Sequence, residues 1–294
     1  MASSQQRITP DKRMIAILVY LTACLQVIGY SFRALHESST LTRFLSLNTA
    51  LPSNITWGIN EFYVGLMIAS LVWAFFRWSP WPFYLIGTLF LIEALFQTAL
   101  GGGMAATLSI PAECSRYLWF LAIGYALRNA RTLDVEIGLP SVRLLLRLGL
   151  ALTFVTHGVE AILRHPGFLD TVILTKRSLL PITDTQGFLT NGLAMIGVVD
   201  VAVGLLVLFK PNRTALVYMA FWGALTAFSH MLAYPTAGFF EALIRAPHYM
   251  LPMLILVIEG TRSLRKPIKH VYSRTLRKMG LPTHLALKRS SQDG

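Results

Sequence analysis

A chain of 294 residues that is 54% apolar, with a mean hydropathy of +0.56 and only 14% charged side chains, departs from soluble domains, which carry about 25% charge. This composition leaves no room for a separate soluble catalytic domain and points to an all-α polytopic membrane protein. The formal charge of +12 would raise nucleic acid as a partner of a soluble chain, but here the basic residues sit beside apolar runs, so no nucleic acid is expected.

A bilayer core of roughly 30 Å needs about 20 helical residues, and eight segments approach that length: 14–35, 57–76, 81–100, 112–127, 142–163, 188–209, 214–231 and 248–261. The polar opening MASSQQRITPDKR is followed by no small-residue cleavage site, so 14–35 reads as a retained span rather than a removed signal. The fourth and eighth segments are short, with Pro111, Pro247 and Pro252 near their starts. Cys24 and Cys114 belong to no CxxC pair and read as small apolar fillers. No nucleotide-binding loop, serine nucleophile elbow or metal-binding cysteine cluster is present, and Gly101–Gly103 reads as a turn between spans.

With spans alternating in direction, 19 of the 26 Lys and Arg fall on one side and seven on the other: Arg33, Arg43, Arg116, Arg164, Lys176, Arg177 and Arg245. The positive-inside rule then places both termini in the cytoplasm, in a bacterial inner membrane. The tail 263–294 is dense in Lys and Arg and is expected to lie on anionic lipid headgroups. Between the tail and the N-terminal segment 1–13, the chain divides into repeats at 14–134 and 135–262. GINEFYVGL around Glu61 matches GVVDVAVGL around Asp200, and Arg33-Ala34 matches Glu160-Ala161. Four spans per repeat make this a parallel duplication.

Ionisable residues inside apolar segments are the candidates for function. His157 and Glu160, three apart, share a helix face, with Arg164 a turn beyond. Either His157 and Glu160 form a proton-handling or ligand-polarising pair, or Glu160 pairs with Arg164 while His157 bonds a neighbouring helix. Asp200 falls near mid-membrane between Gly197 and Gly204, whose missing side chains allow close helix approach, so it is expected to face inward. Glu93 has a similar depth by the same ruler. His230 and His248 end and open adjacent spans on the side of His157, and the three could converge to hold a quinone carbonyl or, ranking below it, a haem. No metal site is expected.

The stretch LRLGLALTFVTHGVEAI followed by PGFLD, and then GVVDVAVGLLVLF, resembles the DoxX-like family of four-span membrane proteins. The resemblance covers roughly 144–260, with the first half as a degenerate copy in which Tyr30 and Ser31 replace the family's histidine and glycine. It implies a redox-associated membrane protein, with the family's histidine-glycine falling on His157 and Gly158 and its acid on Asp200. Three readings follow. One is a quinone- or lipid-binding protein with its site in the second repeat. Another is a non-enzymatic assembly or anchoring subunit with other membrane or redox subunits as partners. The third is a proton-coupled transporter using Asp200 and Glu93.

Overall fold

The computed structural model describes residues 10–77, 79–101, 103–128, 139–179 and 186–259, and among them every regular element is a helix. In chain order these are α1 (Pro10–Glu37), α2 (Thr40–Asn48), α3 (Ser53–Phe76), α4 (Pro80–Leu100), α5 (Met104–Thr107), α6 (Ser109–Ala112) and α7 (Cys114–Arg128). There follow α8 (Pro140–Ile162), α9 (Pro166–Leu179), α10 (Gln186–Phe209), α11 (Arg213–Ala233), α12 (Pro235–Ile244) and α13 (246–259). The basic tail and its expected headgroup contact lie outside the described residues.

Seven helical stretches among the described residues are long and apolar enough to cross a bilayer. The fourth expected span corresponds to α7, whose 15 residues rise only about 22 Å, yet it is buried almost throughout between α4 and α8. The rims of the long helices expose large apolar side chains, among them Phe62, Phe76, Trp81, Met195 and Phe209, each at least 66% exposed. An apolar surface of this extent is what lipid tails cover. The chain is an all-α integral membrane protein.

Local sequence sets the helix ends. Proline occupies the first turn of α4, α8 and α12, where its missing N–H costs nothing. Ser39 caps α2 by accepting the N–H of Thr42, and Asn212 caps α11 by accepting that of Ala215 at 2.7 Å. α8 stops where Arg164 turns left-handed at φ 56°, with His165 N–H bonding the Glu160 carbonyl and Arg164 N–H that of Ala161. Those two bonds close a Schellman motif, and Pro166 prevents continuation.

The order of long and short helices is the same in α1–α7 as in α8–α13, with the single-turn α5 and α6 where the second half has α12. Burial follows the same order. Ile15, Val19, Ala23, Val27 and Ala34 of α1 are spaced as Val142, Leu146, Leu150, Phe154 and Ala161 of α8, and all are buried. In the third helices the buried positions Asn60, Val64, Met67, Leu71 and Ala74 are spaced as Leu193, Gly197, Asp200, Gly204 and Val207. Asp200 therefore takes the place of Met67. Glu61, which the sequence motif sets opposite it, is exposed and accepts a bond from Trp57 Nε1 at 2.9 Å.

α1 packs on α12, and α8 packs on α6 and α7, so each half lays its first helix against the last part of the other. Gln26, fully buried, ties α1 to α7 by donating to the Arg116 carbonyl at 2.8 Å and accepting from Trp119 Nε1 at 2.9 Å. Thr153 Oγ1 accepts the N–H of Ser115 at 2.8 Å and ties α8 to the same helix start. These contacts bring the later halves of α1 and α8 together with the beginning of α7, at the end of the bundle opposite the start of α1.

Candidate functional site

A cavity of about 280 Å³ opens at that end, walled by both halves. α1 contributes Arg33, α2 Arg43 and α4 Glu93. Glu113 comes from the junction of α6 and α7, Arg116 from the start of α7, His157 and Glu160 from α8, and Glu241 and Arg245 from α12 and the turn after it. Charges at such a place are costly unless they meet partners, and here most do.

Glu241 is the hub. Its Oε2 accepts from Arg33 at 2.9 Å, and its Oε1 accepts from Arg116 at 2.8 Å and Arg245 at 3.3 Å. Arg116, whose side chain is 7% exposed, also reaches Glu113 at 3.3 Å. Glu93 is spent differently. It receives the first N–H groups of α2, from Thr40 at 3.0 Å and Leu41 at 3.4 Å, where the helix dipole favours a carboxylate.

His157 and Glu160 form the pair their spacing allows, Nδ1 to Oε2 at 2.9 Å. Arg164 instead points at Asn191, 3.5 Å away. The His157 ring stands 5.7 Å from that of His248, centroid to centroid. His248 is buried, and its Nε2 has no hydrogen-bond partner among the described residues. Both histidines line a second, mostly apolar chamber of about 70 Å³ together with Phe154, Phe168, Asp200 and Trp222. His157 and Arg245 belong to both spaces, so the charged cavity and the apolar chamber adjoin through them.

Two of the three histidines thus converge. His230 is turned to the Thr226 carbonyl of its own helix at 2.9 Å and lines neither space. The chamber shared by His157 and His248 is several times smaller than the 300 Å³ or more common for drug-sized ligands. That volume is far below a porphyrin's.

Asp200 is buried with both oxygens engaged, Oδ1 by Tyr218 OH at 2.9 Å and Oδ2 by Trp222 Nε1 at 3.1 Å. Its flanking glycines touch a different helix. A Cβ on Gly197 would lie 2.5 Å from the Gly158 carbonyl oxygen, and one on Gly204 would lie 2.9 Å from Val155. The carboxylate therefore fastens α10 to α11 while the glycines seat α10 on α8. Asp200→Ala is expected to strand the Trp222 N–H and cost about 1–3 kcal/mol. Asp200→Asn should be tolerated, because its amide can still accept from Trp222 and donate to Tyr218. Thermal unfolding of the two purified variants checks this, and equal stability would remove the fastening role.

The arginines are what sequence reading missed. Arg33, Arg43, Arg116 and Arg245 serve there as markers of topology and, for Arg33, of the repeat, yet each lines the cavity. The available signal was local: Glu113 precedes Arg116 by three residues and Glu241 precedes Arg245 by four, acid-base pairs on the side poorer in Lys and Arg. No family model matches the chain, and no curated protein or solved structure is detectably similar to it.

Proposed function

We propose that this protein binds an amphiphilic ligand, lipid-like or a quinone, with its polar head in the charged cavity beside His157 and Glu160. The adjoining of a donor-rich polar cavity and an apolar chamber through His157 and Arg245 carries this reading. A ligand with one wet end matches such a pair of spaces, the small chamber taking only the apolar part next to the head, and the unpartnered Nε2 of His248 offers a polar contact there. The redox association, and membership of the DoxX-like family, rest on the sequence resemblance alone.

Organic extraction of the purified protein, followed by mass spectrometry, tests the proposal. The wild type is expected to yield a stoichiometric amphiphile, and His157→Ala to retain about tenfold less, the loss of one good hydrogen bond. A quinone in the extract would support the redox reading. An extract empty of bound amphiphile, or retention indifferent to His157→Ala, would defeat the proposal.

A further inference from the structure

Formally the cavity holds as many carboxylates as guanidiniums: Glu93, Glu113, Glu160 and Glu241 against Arg33, Arg43, Arg116 and Arg245. Net charge therefore selects no ligand, but hydrogen-bond capacity does. Each carboxylate is already engaged, Glu93 by backbone N–H groups, Glu160 by His157, and Glu113 and Glu241 by arginines. Each guanidinium carries five N–H donors. Arg33 and Arg245 each spend one on a side chain and Arg116 spends two, leaving its Nε buried without a partner. Arg43 is exposed at the mouth, with no ion-pair partner among the described residues.

The guanidinium donors left over outnumber the carboxylate oxygens left open, Glu113 Oε2 and Glu160 Oε1. A fork of guanidinium donors matches the oxygens of a carboxylate or phosphate, which it binds in pairs of parallel bonds. We infer that the cavity is a site for an acidic headgroup, a carboxylate or phosphate monoester, with Arg43 closing on it from the mouth and Arg33 and Arg116 meeting it from within. This deepens the amphiphile reading and rests on it for the place of the ligand. It adds the chemical class of the head and assigns a role to Arg43 that the interior ion pairs do not need.

The test uses the full chain purified in an uncharged maltoside detergent, with dodecyl phosphate, dodecanol and inorganic phosphate as probes and the thermal midpoint as readout. Dodecyl phosphate is expected to raise the midpoint at concentrations at least about tenfold below those at which dodecanol acts. Arg43→Gln should weaken the phosphate probe by about tenfold or more, as for loss of a charge-assisted bond, and Arg43→Lys should restore part of it. Arg43 is exposed, so neither change threatens the fold. Competition by inorganic phosphate at similar concentration would support the acid site and assign its ligand to a soluble source. Failure of inorganic phosphate to compete would support it with a lipid source. Equal responses to dodecyl phosphate and dodecanol, or an unchanged response in Arg43→Gln, would overturn the inference. If His157-dependent retention of a neutral amphiphile survived that result, the functional proposal would stand without it.

Discussion

Glu241→Gln is expected to be among the most damaging single substitutions in this protein. The glutamine keeps the shape but removes the charge that Arg33, Arg116 and Arg245 share, leaving three guanidiniums around a neutral amide. Breaking a buried ion pair from one side costs about 3–5 kcal/mol. Glu241 retains 18% side-chain exposure, so solvent screening brings the expectation to the lower end, about 3 kcal/mol. At a few degrees per kcal/mol, the midpoint of the detergent-purified protein should fall by on the order of 10 °C. Adding Arg33→Gln should recover part of the loss, because one of the stranded cations is then gone. A double-mutant cycle in which the two effects simply add would show that the hub is not an energetic unit.

The second large effect belongs to the crossing of α8 and α10. A Cβ on Gly158 would stand 2.6 Å from the Gly197 carbonyl oxygen and 2.9 Å from the Val201 nitrogen. These are backbone atoms that no rotamer change can move, so Gly158→Ala must push the helices apart. Overpacking of this kind costs about 1–3 kcal/mol. Displacing α8 at Gly158 also shifts His157 and Glu160, so retention of the ligand should drop with stability. Gly58 and Gly65 are the controls, since a Cβ at either meets nothing within 4 Å. Gly58→Ala and Gly65→Ala should be neutral or stabilising by up to about 1 kcal/mol through helix propensity. Equal behaviour of all three alanine variants would contradict the packing described for Gly158.

The long helices were legible because a spanning segment must satisfy its backbone internally and face lipid, which leaves an unbroken apolar run. The short helices α2, α9 and α12 were not, being half-exposed and too brief for that signature. His157, Glu160, Asp200 and His248 stood out as polar groups in apolar company, and burial or a cavity wall is where each of them lies. The arginines did not stand out, because an arginine at a span end is the ordinary marker of a membrane boundary. Arg33, Arg116 and Arg245 lie in separate parts of the chain, and only the packing of α1 on α12 and of α7 on α8 gathers them. The match of Glu61 to Asp200 failed for a related reason. Two glycines around an acid are a common local pattern, and burial is what distinguishes the helix face that meets a neighbour from the one that meets lipid.

Ribosomes deliver this chain from its amino end, and the anion that quiets Arg33 and Arg116 belongs to a residue more than a hundred positions later. While the first half sits alone in the bilayer, those two cations have Glu113 and little else within reach. The nascent protein must therefore wait, electrostatically unfinished, for its closing segment.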